Sequence, residues 1–598
     1  MFFHQAHGLA NYCKACQPES RTYERLVYDI EDDWYGGHHP LTFSEHKELL
    51  QKHRNQLKKY REIVKEDFAK LSVYDSRLDA DSIFAPKNIS EALAFAKKVF
   101  AVSKKSTENF LQISKSIISS SVEILQTYGM KEPCNFIVVA LGSAARSEVT
   151  PYSDLEYAFI VEDNPGHEYF RRLAIDTYFR IGNVLESPLK IFDVSEVKSN
   201  TILKTIASKN LAAGFRIDGI MPIAGNIPTG LVDDRSFTMT VDEFMTVYEL
   251  SATYPLDDEK SGDKAEMFSS TVVVYANKEN SLRLYEEVQK RRIQYESTKA
   301  RFDQTFKEKR LQSFLRDLRN YAFLPEFVQY QPPRNLNVKV KADLFRYPTL
   351  LANNIKICMA FTSANSWEVY LELKNKQLLS EQNCNYLIIV LALSMYIRTS
   401  AYIAEGTQVS SISINQHSEP STSGLYRIPL NLFLILGCLL MPIKRSILLV
   451  IGNADLTSYA QDLKTFVEVL TKSIRVDDSD FMLKAEVRYF AGDYFNALND
   501  IASAVGAKQK PLDYKDFSKK LNELSEHWQT GRRKCVELCS YLLYFTHNYS
   551  YAIGYFQKLN EDDQEKSVIW QLLIAHCMKE MGKYEDVAAL LKKVHIDI

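Results

Sequence analysis

Glycine and proline are few in this chain of 598 residues, 21 and 18, and its charges nearly cancel, with 73 Lys plus Arg against 75 Asp plus Glu. The resulting net charge of -2 gives no global attraction to nucleic acid or to an anionic membrane, so a protein or small-molecule acceptor is favoured over a long polynucleotide. Cysteine is sparse and odd in number: nine residues, mostly inside apolar helical patterns such as Cys358, Cys384, Cys438 and Cys577. No disulfide framework is expected, and a reducing, cytoplasmic compartment fits. The opening residues, Met1 to His7, lack the basic start and long apolar core of a secretory signal. The longest apolar run, Leu432 to Ile443, contains Gly437 and Pro442 and is closed by Lys444-Arg445. It is too short to span a bilayer, so it reads as a buried helix and no membrane partner is expected.

What is present is a composition ordinary for a soluble protein, 46% hydrophobic and 25% charged, at a length that suggests about four domains. The most informative stretch is Leu141-Gly-Ser-Ala-Ala-Arg-Ser-Glu-Val-Thr-Pro-Tyr-Ser-Asp-Leu-Glu-Tyr157 with the apolar runs that flank it. Phe136 to Leu141 reads as a buried strand, Gly142-Ser143 breaks it, and Leu155 to Val161 reads as the next strand. Side chains alternate along a strand, so Asp154 and Glu156 project from one face. Carboxylates so placed suit Mg2+ or Mn2+, which take hard oxygen ligands together with substrate phosphates. Gly142 allows close backbone approach to a phosphate, and Ser143 offers N–H and hydroxyl donors.

The order Gly-Ser, then Arg and Glu, then Ser-Asp-x-Glu resembles the signature of the DNA-polymerase-beta-like nucleotidyltransferases, in the branch of the bacterial nitrogen-sensor uridylyltransferase. The resemblance implies that Gly142 and Ser143 contact phosphates of a nucleoside triphosphate, that Arg146 and Glu148 support the turn, and that Asp154 and Glu156 bind metal. It also implies a third carboxylate. Gly214-Phe-Arg-Ile-Asp-Gly-Ile-Met-Pro222 resembles the branch's corresponding strand and assigns it to Asp218, which would bind one metal and act as base; Asp193 is the runner-up. A second stretch, with Asn337 to Pro348, Ser366-Trp-Glu368, Leu378 to Glu381 and Ile397 to Tyr402, resembles the helical domain that follows the transferase core. Lys339 there matches a lysine that meets the phosphates, so Arg146 and Lys339 join Gly142 and Ser143 as nucleotide-binding candidates. The implied reaction moves a nucleoside monophosphate to an acceptor hydroxyl. Relatives in that branch modify protein tyrosines, which points to a protein acceptor, with nucleic acid not expected. The hydrolase domain of the full bacterial enzymes carries a His-Asp metal motif, and no His-Asp dipeptide occurs here. An alternative keeps the transferase fold without its chemistry, as an interaction scaffold.

Along the chain the expected class is α+β: a small mixed-sheet core flanked by helical domains, with an all-α repeat tail. The expected divisions are a helical region at 1–125, the transferase core at 126–240, a helical domain at 241–404, a polar linker at 405–424, a helical region at 425–475 and the tail at 476–598. Long helices are expected from Ser44 to about Leu71 and from Ile89 to Tyr128, either against the core sheet or as a separate bundle. His4, His7, Cys13 and Cys16 form a cluster with zinc-ligand types. In the tail, three segments align on Tyr494, Tyr549 and Tyr584, spaced by 55 and 35 residues. The second spacing is near the tetratricopeptide period of about 34 residues, and Gly-x-Tyr-x-x-Ala resembles that repeat's helix-turn-helix, a surface suited to protein partners.

Overall fold

The fold is known from a computed structural model, which describes residues 25, 28, 32, 37–75, 86–164, 167–183, 238–253, 264–320, 337–409, 411–414, 426–453, 462–476, 481–504, 516, 517, 519, 532–562 and 567–593. The tip cluster of His4, His7, Cys13 and Cys16, and both Asp193 and Asp218, lie outside these residues.

Two long helices come first, α1 (Phe43–Asp75) and α2 (Pro86–Thr127). Thr42 and Glu45 close a reciprocal cap at the start of α1: the Glu45 N–H donates to Thr42 Oγ1 at 3.3 Å and the Thr42 N–H to Glu45 Oε2 at 2.8 Å. Thr42, rather than Ser44, therefore marks the start. Next come β1 (Phe136–Leu141), a single turn α3 (Gly142–Ala145), β2 (Tyr157–Val161) and α4 (Glu168–Asn183). After β3 (Thr238–Thr240) follow α5 (Val241–Thr253), α6 (Lys264–Phe268), β4 (Thr271–Ala276), α7 (Leu282–Phe302) and α8 (Gln304–Asn320).

These four strands make one mixed sheet in the order β3-β2-β1-β4, with β1 antiparallel to both neighbours and β2 parallel to β3. Every residue of β1 and β2 is buried, as continuous apolar strands in the middle of a covered sheet require. α2 packs against β4 and α4, and α7 against β1, so the N-terminal helices are part of the core's packing. β4 lies beyond the expected core boundary at 240. Its Val-Val-Val-Tyr run pairs with β1 from inside the region read as helical, because a local pattern does not reveal which distant strand fills a sheet edge.

The second body begins with β5 (Asn337–Lys339) and a π-helical turn (Val340–Phe345), then α9 (Arg346–Met359), α10 (Ser366–Asn375) and α11 (Glu381–Glu405). β6 (Ser411–Ile414) pairs with β5, and β7 (Arg427–Ile428) with β6. Part of the stretch read as a polar linker is thus a strand, anchored by the buried Ile412. α12 (Leu430–Asn453) runs through Pro442 and past Lys444-Arg445, longer than the apolar run alone indicated. α11 and α12 have the length and apolarity of membrane spans, but 83% and 61% of those windows are buried inside the protein, as core helices are.

After α13 (Leu463–Ser473), the described residues of the tail form three helical hairpins: α14 (Phe481–Phe490) with α15 (Tyr494–Ala504), α16 (Arg532–Phe545) with α17 (Tyr549–Asp562), and α18 (Ser567–Glu580) with α19 (Tyr584–Lys593). Their turns are identical in form. Gly492, His547 and Gly582 each take positive φ, of 76°, 60° and 75°. The next N–H closes the turn: Asp493 onto the Arg488 carbonyl, Asn548 onto Leu543, Lys583 onto Met578. This is the Schellman ending, and it starts each second helix at the aligned tyrosine. Tyr494 stacks on Phe545 of the next hairpin at 4.7 Å, whereas Tyr584, on the last described helix, is 68% exposed.

Candidate active site

The turn between β1 and β2 begins with Gly142 at φ +57°, where a side chain is strained. A Cβ at that position would lie 1.9 Å from Glu156 Oε2. The glycine is therefore required less to admit a phosphate than to admit the Glu156 carboxylate. The Leu141 N–H donates to the Glu156 carbonyl at 2.9 Å, carrying the β1–β2 ladder one residue beyond β2 and fixing Glu156 beside the turn. Leu155 is fully buried while Asp154 and Glu156 are half-buried, so the alternation expected from the sequence places both acids on the open side.

The loop carrying Asp154 is held from three directions. The Thr150 N–H donates to Ser153 Oγ at 2.8 Å, Arg61 of α1 donates to the Pro151 carbonyl at 3.1 Å, and Gln408 donates to the Tyr152 carbonyl. Gln408 Nε2 also lies 3.4 Å from Asp154 Oδ1.

Lys341, on the π-helical turn, lies near enough to the two acids for their charges to interact. Its ammonium pKa is pushed down by desolvation and further by Arg398 and Arg346, while Glu156 and Asp154 oppose them. Lys339 is exposed, and its backbone N–H donates to the Asp343 carboxylate at 2.8 Å. The buried Arg398 holds its guanidinium 4.2 Å over the Phe345 ring and 5.5 Å from that of Tyr402. Its Nε and Nη1 have no hydrogen-bond acceptor among the described residues. Lys341 and Arg398 carry no distinctive local pattern; the signal that could have raised them is the family-like ending Ile397 to Tyr402, read in three dimensions.

Arg146 is only 7% exposed and serves the turn itself. Its Nε donates to Glu148 Oε2 at 2.9 Å, and its Nη1 lies 3.3 Å from Glu266 Oε1. Burial alone would lower the guanidinium's pKa, but Glu148, Glu266 and Glu156 together hold it above the usual value. Its geometry is that of a support rather than of a phosphate ligand. Glu148 also accepts from Ser366 Oγ, and the adjacent Trp367 stacks on Phe100 of α2 at 4.5 Å. The two stretches that resemble one family in sequence thus meet at Glu148 and Ser366. Behind them, the buried Lys356 donates to the Ser269 carbonyl at 2.9 Å and to Ser270 Oγ at 2.8 Å. Burial, aided by Arg292, pushes its pKa down to about 7.

Asp154 and Glu156 are hard oxygen donors on an open face, and Mg2+ is commonly held by one or two carboxylates plus substrate phosphates, so the donor set fits such an ion. Among the described residues no three His, Cys, Asp or Glu side chains converge, and Asp218, the candidate third ligand, is outside them.

The mixed four-stranded sheet carries the Gly-Ser turn after β1 and the spaced acidic pair just before β2. Residues 92–179 match a family model described as "Putative nucleotidyltransferase DUF294". The match runs from α2 through the Gly-Ser turn and the acidic pair into α4, and it supports a general role in nucleotidyl transfer. No curated protein matches the chain.

Proposed function

We propose that the protein transfers a nucleoside monophosphate from a nucleoside triphosphate to an acceptor hydroxyl, on a protein, and releases pyrophosphate in the cytoplasm. The observation that carries this reading is that the charge of Lys341 interacts both with the acidic pair Asp154 and Glu156 and with Arg398, whose Nε and Nη1 have no hydrogen-bond acceptor among the described residues. Two acids with hard oxygens and a pair of cations near them are what a metal-bound triphosphate requires. Asp154 and Glu156 would hold Mg2+ or Mn2+, whose chemistry is to neutralise phosphate charge and to activate the acceptor oxygen. Lys341 and Arg398 would bind phosphate oxygens, and Gln408 would keep Asp154 in position.

In the transfer the acceptor oxygen bonds to the α-phosphorus as the bond from that phosphorus to the α–β bridging oxygen breaks. The hydroxyl proton passes to a carboxylate, a role for which the sequence offers Asp218, and the electron pair of the broken bond leaves on pyrophosphate. The stacked hairpins of the tail fit a tetratricopeptide-like array that engages a protein partner.

The test is incubation of the full chain with each α-labelled triphosphate, Mg2+ or Mn2+, and a cell lysate. Labelled protein and matching pyrophosphate release are expected, and both should vanish with Asp154→Ala/Glu156→Ala. Labelling that persists in the double variant would remove the pair from the mechanism. Absence of Mg-dependent triphosphate binding by the native chain would favour the scaffold reading.

A further inference from the structure

The loop that ends at Asp154 has a second neighbour. Arg54, Lys58, Arg61 and Lys65 follow one another on α1 at steps of four, three and four residues, the spacing of a single helical face. They line a groove of about 390 Å³ with Leu57, Glu62, Pro151, Tyr152 and Ile403. At 1.5 Å per residue the cationic row is roughly 16 Å long. Arg61 joins the row to the loop: besides its bond to the Pro151 carbonyl, its guanidinium lies 4.2 Å over the Tyr152 ring. The groove therefore borders the candidate site through a segment only three residues long, Tyr152 to Asp154.

We infer that this groove docks an acidic polypeptide segment of the acceptor protein and brings its hydroxyl toward Asp154, a conclusion that rests on the transferase reading above. Charge complementarity selects an anionic occupant, since among the described lining residues there are four cations and one carboxylate, that of Glu62. Three features select polypeptide over nucleic acid. The Tyr152 ring already carries Arg61 on one face, and no other aromatic lines the groove among the described residues, which offer successive bases no further stacking platform. Glu62 sits within the cationic row, where a continuous phosphodiester chain would meet it, whereas a peptide can present an uncharged residue at that point. Leu57, Pro151 and Ile403 form an apolar floor suited to aliphatic side chains placed between acids.

The experiment uses the full chain and measures anisotropy of a fluorescent peptide of alternating Glu and Leu with one central Ser, against a labelled oligouridylate of similar charge. Arg54→Glu/Lys58→Glu/Lys65→Glu is the disruptive variant, and the same three changes to Gln are the milder one should charge reversal impair folding. Arg61 is left in place because it holds the loop. The native chain should bind the peptide, weakening as salt shortens the range of its charges. The Gln variant should lose about tenfold in affinity, or ~1.4 kcal/mol, and the Glu variant more, with thermal midpoint and Mg-triphosphate binding unchanged. Peptide binding that is absent, or equal in native and variant chains, overturns the inference, as does tighter binding of the oligouridylate through the same three residues. Intact Mg-triphosphate binding with no peptide binding would refute the groove alone. Peptide binding without triphosphate binding would refute the transferase reading alone.

Discussion

Gly142 and Glu156 occupy the same space: the position a Cβ would take at residue 142 is 1.9 Å from the Glu156 carboxylate oxygen. Gly142→Ala must therefore displace the carboxylate and also hold alanine at φ +57°, a backbone penalty of about 1–2 kcal/mol. The fold should survive, because the glutamate's flexible end can swing into the cleft. Metal-dependent triphosphate binding should fall at least as far as with Glu156→Gln. Calorimetric titration of Mg-triphosphate into both variants checks this; a native-like affinity in Gly142→Ala would show that Glu156 acts from another rotamer.

Removing the acids themselves should separate stability from function. Asp154 and Glu156 are like charges on one face, and their repulsion offsets what Asp154 gains from Gln408 and Glu156 from the Arg146 charge, so Asp154→Ala/Glu156→Ala should change the apoprotein's thermal midpoint little while abolishing the midpoint rise caused by Mg-triphosphate. The two values come from one melting series with and without ligand. A lower apo midpoint would mean that the pair is held by structural partners.

Arg146 tests the opposite case, a charge kept for structure. Arg146→Met would leave Glu148, 2% exposed, with Ser366 as its remaining side-chain partner among the described residues, and breaking a buried pair in this way costs about 3–5 kcal/mol. Arg146→Met/Glu148→Met should recover much of that loss, since neither charge is then stranded. Urea unfolding of the single and double variants measures it. A double variant as unstable as the single would assign the cost to packing.

The candidate site was legible where its chemistry is local. Gly142, Ser143, Asp154 and Glu156 lie within fifteen residues, and strand alternation alone brings the acids to one face. Long-range joints were not legible: Glu148 meets Ser366 across 218 positions, and β4 closes a sheet whose other strands all precede it. Lys341 was not legible, because the π-helical turn that carries it leaves no compositional mark. The tail hairpins were legible because each turn is set by a few adjacent residues. The tip cluster and the third carboxylate, Asp218, fall outside the described residues.

Lys356 gives the chain a pH dependence of definite sign. Its ammonium is pushed down to about 7 in the folded protein from an ordinary value of 10.5, so between those limits the unfolded chain binds more protons. Folding stability from this group therefore rises as pH increases from about 7 toward 10, and below 7 the full cost of burying the charge remains. In Lys356→Met that slope disappears, though loss of the bonds to Ser269 and Ser270 adds a constant offset. The native chain should gain stability relative to the variant between about pH 6 and pH 9 in paired urea titrations. A pH-independent difference would mean that Lys356 stays charged in place.

The three tail turns offer a matched comparison, because Gly582, Gly492 and His547 hold the same backbone conformation with different side chains. A Cβ at Gly582 would meet nothing within 4 Å, so Gly582→Ala should cost only the left-handed backbone penalty, about 1–2 kcal/mol, without the clash found at Gly142. Because α19 is the last described helix and Tyr584 is largely exposed, that cost should appear as local opening of α18–α19 and not as a lower global midpoint. His547 already bears the penalty in the native chain. His547→Gly relieves it but gives up the 2.7 Å bond to the Tyr549 hydroxyl, so the net change should be small, within about 1 kcal/mol. Amide hydrogen exchange across 567–593 and 532–562 reads both variants: faster exchange confined to the final hairpin in Gly582→Ala, with little change around 547 in His547→Gly. Global destabilisation by Gly582→Ala would instead mean that the last hairpin supports the whole array.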